Sequence, residues 1–375
     1  MKEKLIIIGA NDFQDQLIRK ANALGYETHV FAWEDGAVGK KHADFFYPVS
    51  IIEKEEILEK CREIRPVGVC SIASDLAATT VNFVAEGLGL PCNKTEYNLI
   101  QTNKYAMRRA LFEAGVPCPK FLHTGCEIDQ SLLEGFSFPI IVKPTDRSGS
   151  RSIMKLESAD GLKEAVKAAC EVSFEKKAII EEYLEGKEYS METISYRGEH
   201  HYLACTEKFT TGAPHFIETG HREPSGLDEQ TLKKAKETVL KALSALHIEN
   251  SAGHAEFKVT PEGEIRIIEI GARMGGDCIG SDLVYLSTGN DFVKMVIDVA
   301  CGKAPELSAQ KKESCAEVHF LFDENDLEKL EQLRRDTPDS IYRVSDIEME
   351  NLGNTTDSST RLGYYILYIA QEGTK

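Results

Sequence analysis

The chain has 375 residues, 42% of them hydrophobic and 28% charged, which is too long for one core and ordinary for a water-soluble protein of two or three domains. Its 44 Lys and Arg against 61 Asp and Glu leave a net charge of −17, a field that repels nucleic acid and anionic membrane and argues against both as partners. No apolar run approaches the roughly 20 residues of a membrane span, and the start Met1-Lys-Glu-Lys4 leads into a strand too short for a signal peptide, so a cytoplasmic location is expected. The ten cysteines show no C-x-x-C pair and no Cys/His cluster at zinc spacing, and read as reduced small hydrophobes.

In chain order, Leu5-Ile-Ile-Ile8 is a buried-strand run, Gly9-Ala-Asn11 a tight turn, Phe13 to Leu24 a helical pattern closed at Gly25, and Thr28 to Ala32 the next strand. That is βαβ and predicts a parallel sheet. A lone Gly9 without G-x-G-x-x-G is weak evidence for a dinucleotide site. Val67 to Ile72 is a later strand, followed by Ser74-Asp75, which reads equally as ligand groups at a strand's carboxyl end and as a helix cap. Residues 1–93 are expected to form a small doubly wound, Rossmann-like domain. Asn103 to Pro117 predicts a helix closed by Gly115 and Pro117.

Phe138-Pro-Ile-Ile-Val-Lys143 is a strand ending in lysine, and Thr145 to Ser152 is a loop of small residues that includes Ser148 and Ser150. Such a loop exposes N–H groups and hydroxyls to phosphate oxygens while Lys143 supplies a point charge. It is not a Walker loop, and a surface hairpin tip is its plain alternative. Ala178 to Leu184 and Glu185 to Ile194 read as two strands with Gly186 between them, a charged hairpin if taken alone. The polar stretch from Lys208 to Pro224, containing His221, is too long and chemically rich for a connector. Gln230 to Leu246 and Gly280 to Cys301 read as helices.

His254 to Val259 and Glu264 to Ile270 predict a hairpin turning through Thr260-Pro-Glu-Gly263. A symmetric turn sets Glu256 opposite Ile267, with Glu269 one diagonal step along on the same face. Two carboxylates converging there suit a hard divalent cation, Mg²⁺ or Mn²⁺, whose remaining positions phosphates and water fill; two solvated surface acids are the alternative. Arg273 follows in the run Gly271-Ala-Arg-Met-Gly-Gly276, where a forked guanidinium beside a metal pair suits a phosphate, a carboxylate or an acyl phosphate. From about residue 304 a small β-rich tail follows, with strands over Ala316 to Phe322 and Tyr364 to Ala370 and no evident chemistry.

Taken together, Lys104 within K-x-x-x-R-x-x-L-x-x-x-G-V-P, Lys143 with its loop, Glu181-Glu-Tyr-Leu-Glu-Gly-Lys-Glu188, Glu256 and Glu269-Ile-Gly-Ala-Arg273 resemble, in that order, the parts of the ATP-grasp superfamily. The resemblance covers roughly residues 1–300. It implies an ATP-grasp fold with a pre-ATP-grasp domain at 1–93, the ATP-grasp domain at 94–303 with a nucleotide-binding subdomain near 115–187, and a C-terminal β-rich subdomain at 304–375. It further implies that Lys104 touches phosphates, that Glu181 accepts from the adenine amine, that the backbone of Glu182, Tyr183 and Leu184 reads the ring edge, and that Glu188 holds the ribose. The sequence departs from the family at Gly271, where an Asn usually supplies a further metal ligand, and in the loop, where Arg147 and Arg151 replace glycines.

The run Ile217-Glu-Thr-Gly-His221, the Gly-x-His-x-Glu before the hairpin and Gly275-Gly276 look most like the carboxylate–amine ligases of that superfamily, including L-amino acid ligases. The resemblance implies ATP and Mg²⁺ as cofactors, a carboxylate (an amino acid) and an amine as substrates, and His221, Arg273, Gly275 and Gly276 near them, with Arg273 and Lys143 in catalysis. A homodimer is left open. Two other readings compete: a bicarbonate-using enzyme like carbamoyl-phosphate synthase or a carboxylase, and a nucleotide-binding regulator without turnover.

Overall fold

A computed structural model describes residues 2–149, 151–213, 216–308, 314–355 and 357–370. The N-terminal run gives β1 (Lys4–Ile8), α1 (Asp12–Ala23), β2 (Glu27–Phe31), β3 (Phe45–Tyr47), α2 (Lys54–Ile64), β4 (Gly68–Cys70) and α3 (Asp75–Leu88). The strands form the expected parallel sheet, in the order β3-β2-β1-β4. Leu5 and Ile7 face one side and Ile6 and Ile8 the other, so both faces are buried, as alternation in a covered parallel strand requires. One face is covered by α2 and α3; the other is covered by α1 together with Phe292, Val293 and Val296 from much later in the chain.

After α4 (Asn98–Thr102) and α5 (Lys104–Glu113), capped by Asn103, a second sheet forms from β5 (Phe121–Thr124), β6 (Ile140–Pro144), β7 (Met154–Leu156) and β8 (Ala178–Glu182), backed by α6 (Leu162–Val172). Its order is β5-β8-β6-β7, all antiparallel. The third sheet begins with β9 (Lys187–Tyr196), β10 (Glu199–Thr210) and β11 (Glu218–Glu223), then, past α7 (Glu229–Ala245), takes β12 (Ala252–Val259) and β13 (Ile265–Gly271).

The two strands expected as a hairpin over 178–194 therefore belong to different sheets. Glu182 to Gly186 is the crossing between them. Gly186, at φ +119°, sits where any Cβ would overlap the Val259 carbonyl, so glycine is needed for the chain to pass this close to the hairpin turn.

The helix expected over 280–301 is broken into α8 (Val284–Thr288) and α9 (Phe292–Ala300). Gly289 ends the first with φ +80°, and the Asp291 side chain caps the second by accepting from Lys294 N, so cap chemistry outweighs the continuous apolar periodicity. In the tail, β14 (Ser314–Leu321), α10 (Glu324–Asp336), β15 (Ile341–Val344) and β16 (Gly363–Ala370) follow. The strands make no sheet of their own: they complete the third, whose order is β13-β12-β9-β10-β11-β14-β16-β15. Among the described residues no helix is long and apolar enough to cross a membrane, and the cysteines are free and mostly buried.

Candidate active site

A cleft opens between the β5-β8-β6-β7 sheet and the eight-stranded sheet. Its walls carry Lys104, Lys143, Ser148, Glu181 to Leu184, Glu188, Lys208, Glu256, Glu269 and Arg273, so residues far apart in sequence meet along one groove. Ser150, and Pro214 and His215 within the stretch from Lys208 to Pro224, lie outside the described residues.

The hairpin β12–β13 differs from its expected register in a way that tightens the site. The turn closes by Thr260 N donating to Glu264 O at 2.9 Å, pairing Val259 with Ile265, and a bulge then inserts Ile268. The two one-residue shifts bring Glu269 directly opposite Glu256 instead of diagonal to it. Arg108, fully buried on α5, donates to the Ile268 carbonyl and gives the carbonyl displaced by the bulge a partner. Directly opposed residues on one face bring their carboxylates together.

Each of these carboxylates is matched to a lysine. Lys104 Nζ donates to Glu269 Oε1 at 2.8 Å and to the Arg147 carbonyl at 2.7 Å, tying the hairpin to the small-residue loop. Lys208 Nζ donates to Glu256 and lies 3.4 Å from Glu188 and 3.8 Å from Glu218. Burial disfavours the Lys208 ammonium, but Glu256, then Glu188 and Glu218, outweigh it and hold its pKa above the ordinary lysine value. Burial likewise opposes ionisation of Glu256, and Lys208 and His254 overcome it, so that carboxyl is held well below the usual range. Two opposed carboxylates suit a hard divalent cation. Among the described residues no group of three or more His, Cys, Asp or Glu forms a metal cage; the pair offers two carboxylates, the number from which Mg²⁺ sites completed by phosphates and water are commonly built.

Behind Glu256 stands a buried relay. His254 Nε2 is 3.4 Å from Glu256 Oε1 and its Nδ1 bonds Glu192, whose other oxygen accepts from Gly275 N at 3.0 Å. A Cβ at Gly275 would come within 2.7 Å of the His254 ring. Gly275 is thus accounted for by this pair, and neither it nor Gly276 lines the cleft.

At the other end Lys143 Nζ and Arg108 Nε both lie 2.6 Å from Glu181, one on each carboxylate oxygen. Burial opposes the Glu181 charge, and Arg108 and Lys143 lower its pKa regardless; burial depresses Lys143 despite Glu181. Glu181 Oε1, though ion-paired with Arg108, makes no hydrogen bond among the described residues. The crossing beyond it is more open. Tyr183 lies under the ammonium groups of Lys155 and Lys258, 4.2 and 4.9 Å from its centroid, and Lys258 Nζ donates to the Leu184 carbonyl at 2.9 Å.

Four placements stand apart from the sequence reading. His221 is buried and lies outside the cleft wall, edge-on to Phe320, with Nε2 3.9 Å from Asp277 and no partner for Nδ1 among the described residues; burial lowers its pKa, Asp277 opposing. Arg273 forms an ion pair with Asp75 of α3 rather than with the nearby Asp277, which instead pairs with Arg361 at 3.0 Å. Arg361 also reaches Glu218 at 2.9 Å, so the tail, expected to carry no chemistry, braces the acids around Lys208. Lys208 itself was legible in principle: a lysine at the end of the run Leu203-Ala-Cys-Thr-Glu-Lys208, buried 4% exposed at the side chain, is rare unless paired.

Residues 136–282 match the family model of the ATP-grasp domain. An alanine–anticapsin ligase of Bacillus subtilis is 30% identical over 303 residues, covering 72% of this chain and 64% of the ligase, so the chain spans a little under two thirds of that relative's length. Among solved structures, an L-amino acid ligase from Bacillus licheniformis superposes with a TM-score of 0.81 at 22% identity, over 99% of this chain and 94% of that one. The biotin carboxylase domain of a Hydrogenobacter thermophilus 2-oxoglutarate carboxylase, solved with MgADP and bicarbonate, superposes with a TM-score of 0.76 at 17% identity, over 99% and 87%. At those identities the likeness is one of fold. It extends over the whole chain, and the ATP-grasp domain match, over residues 136–282, falls on the strands that build the cleft.

Proposed function

We propose that the protein is an ATP-dependent carboxylate–amine ligase. The observation that carries the reading is the pairing of Glu256 with Glu269 at one end of a groove that also holds three buried or half-buried lysines and, just beyond, the Arg273 guanidinium. An acidic protein has to neutralise a triphosphate with locally placed cations, and Lys104, Lys143 and Lys208 are such cations. Glu256 and Glu269 would hold Mg²⁺ or Mn²⁺ shared with the phosphates, Ser148 would lie over them, Glu182 to Leu184 would read adenine, and Glu188 would take the ribose hydroxyls. The metal, when bound, neutralises charge on the transferring phosphoryl group.

In the reaction the substrate carboxylate oxygen attacks the γ-phosphorus, the bond to the β–γ bridging oxygen breaks, and ADP leaves. An amine nitrogen then attacks the acyl carbon of the acyl phosphate, phosphate departs, and the amine loses a proton. Arg273 contributes by orienting the carboxylate through its fork; positioning and charge neutralisation are the protein's main work in such chemistry.

The test is ATP-dependent phosphate release measured with single amino acids, with amino acid pairs and with bicarbonate. Release that requires an amino acid, together with a product carrying a new amide, supports the ligase. Release driven by bicarbonate alone moves the protein to the carboxylating branch, and nucleotide binding with no release under any condition leaves a regulator.

A further inference from the structure

The Arg273 guanidinium is held from outside its own sheet. Nε donates to Asp75 Oδ1 at 2.9 Å and Nη2 to Oδ2 at 3.4 Å. A guanidinium can take a carboxylate on either of two edges, Nε–Nη2 or Nη1–Nη2. Asp75 uses the first. The second is left, its Nη1 meeting only the Met274 carbonyl, at 3.5 Å, among the described residues. Asp75 belongs to the first turn of α3 in the N-terminal domain, after the capping Ser74. Ala73, at φ +56°, donates its N–H to the Met274 carbonyl at 3.2 Å, so the turn and the 273–274 segment are fastened together by backbone as well as by charge.

Gly271 completes the arrangement. A Cβ there would stand 3.0 Å from Arg273 Cζ, from Arg273 Nε and from Asp75 Oδ1. The pair lies across the end of β13 in the space a larger residue would fill, which is a physical reason for glycine at this position.

We propose that Asp75 is a positioning residue for the carboxylate substrate. It holds one edge of Arg273 so that the other is presented to the carboxylate, and recognition of that substrate thereby depends on the N-terminal domain. The inference rests on the ligase reading above.

The test uses the full chain with Asp75→Asn, Asp75→Glu, Gly271→Ala and the double variant Asp75→Asn/Gly271→Ala. Carboxylate KM and kcat come from phosphate release, and ATP affinity from calorimetry. Asp75→Asn should lower kcat/KM for the carboxylate by about tenfold or more, as loss of a charge-assisted hydrogen bond does; Gly271→Ala, whose methyl would press on both partners at 3.0 Å, should lower it by a smaller factor, and both should leave ATP affinity within about twofold. Asp75→Glu should recover part of the loss, and the double variant should be little worse than the worse single one, because both act through Arg273. Unchanged carboxylate kcat/KM in either single variant, fully multiplicative losses, or a parallel fall in ATP affinity would overturn the assignment. If Asp75→Asn does not fold, Asp75→Glu and Gly271→Ala carry the same test. A wild type without carboxylate-dependent release defeats the ligase reading and this inference with it, whereas an active wild type with unaffected variants defeats the positioning role alone.

Discussion

Replacing Lys208 by methionine keeps the length of a buried side chain and removes its charge from the floor of the cleft. Its ammonium serves Glu256, Glu188 and Glu218 at once. Without it three carboxylates face one point; the two cations left in direct contact with them are His254, 3.4 Å from Glu256, and Arg361, 2.9 Å from Glu218, with Lys258 acting on Glu188 and Arg273 on Glu256 from farther off. Removing one partner of a buried ion pair costs about 3–5 kcal/mol; the two remaining cations place this case at the lower end, about 3 kcal/mol. A divalent cation at Glu256 supplies the missing charge. Millimolar Mg²⁺ without nucleotide should therefore raise the unfolding midpoint of Lys208→Met clearly more than that of the wild type, since a ligand of the native state stabilises it by mass action. The assay is thermal or urea unfolding in EDTA and across a Mg²⁺ series, with ATP affinity measured in parallel and expected to fall about tenfold as a phosphate loses a charged contact. A variant as stable as the wild type in EDTA, or one with the same response to Mg²⁺, would show that Lys208 is not the counter-ion of these carboxylates.

Lys143→Ala should weaken ATP binding by about tenfold or more yet leave a folded protein, because Glu181 keeps Arg108 at 2.6 Å; unchanged ATP titration removes Lys143 from the phosphate site. Gly186→Ala forces a Cβ onto the Val259 carbonyl at a positive φ and should cost several kcal/mol, of order 1–3 for the backbone conformation alone, with adenine binding weakened through the same crossing; a variant with wild-type midpoint and ATP affinity would contradict that geometry. Glu223, fully buried, has its carboxyl raised from 4.5 to about 8 by burial, against the hydroxyls of Thr206 and Ser287 and with Glu192 adding to the rise. The folded state therefore holds a proton that the unfolded chain releases above about pH 4.5, so this contribution is complete below that pH and is lost as pH climbs to about 8, at about 1.4 kcal/mol per unit. Urea unfolding at pH 5, 6.5 and 8 should show the wild type losing stability with pH and Glu223→Gln losing less; parallel profiles would mean that Glu223 is ionised in the fold.

Much of the candidate site is legible in the sequence because its chemistry is local. Leu5 to Ile8 reads as a covered parallel strand from its apolar run, and the β1–α1–β2 unit follows from the turn at Gly9 and the stop at Gly25. Lys143 at the end of an apolar strand, the acids flanking Thr260 to Gly263 and the Arg273 run announce charge where a strand would otherwise be buried. Order along the chain then groups them, since each motif is defined by residues within a dozen positions of one another.

What only the tertiary structure decided involves partners that sequence distance hides. Periodicity and turn type leave a strand's register open by one residue, and here a longer turn and a bulge at Ile268, held by Arg108 from another element, set Glu269 opposite Glu256. The pairs Lys208–Glu256, Arg361–Asp277 and Asp75–Arg273 join residues 48, 84 and 198 positions apart. No local preference encodes such contacts. They exist because stacking three sheets buries charges that must find counter-ions across the packed layers, and which counter-ion each one meets is a property of the packing.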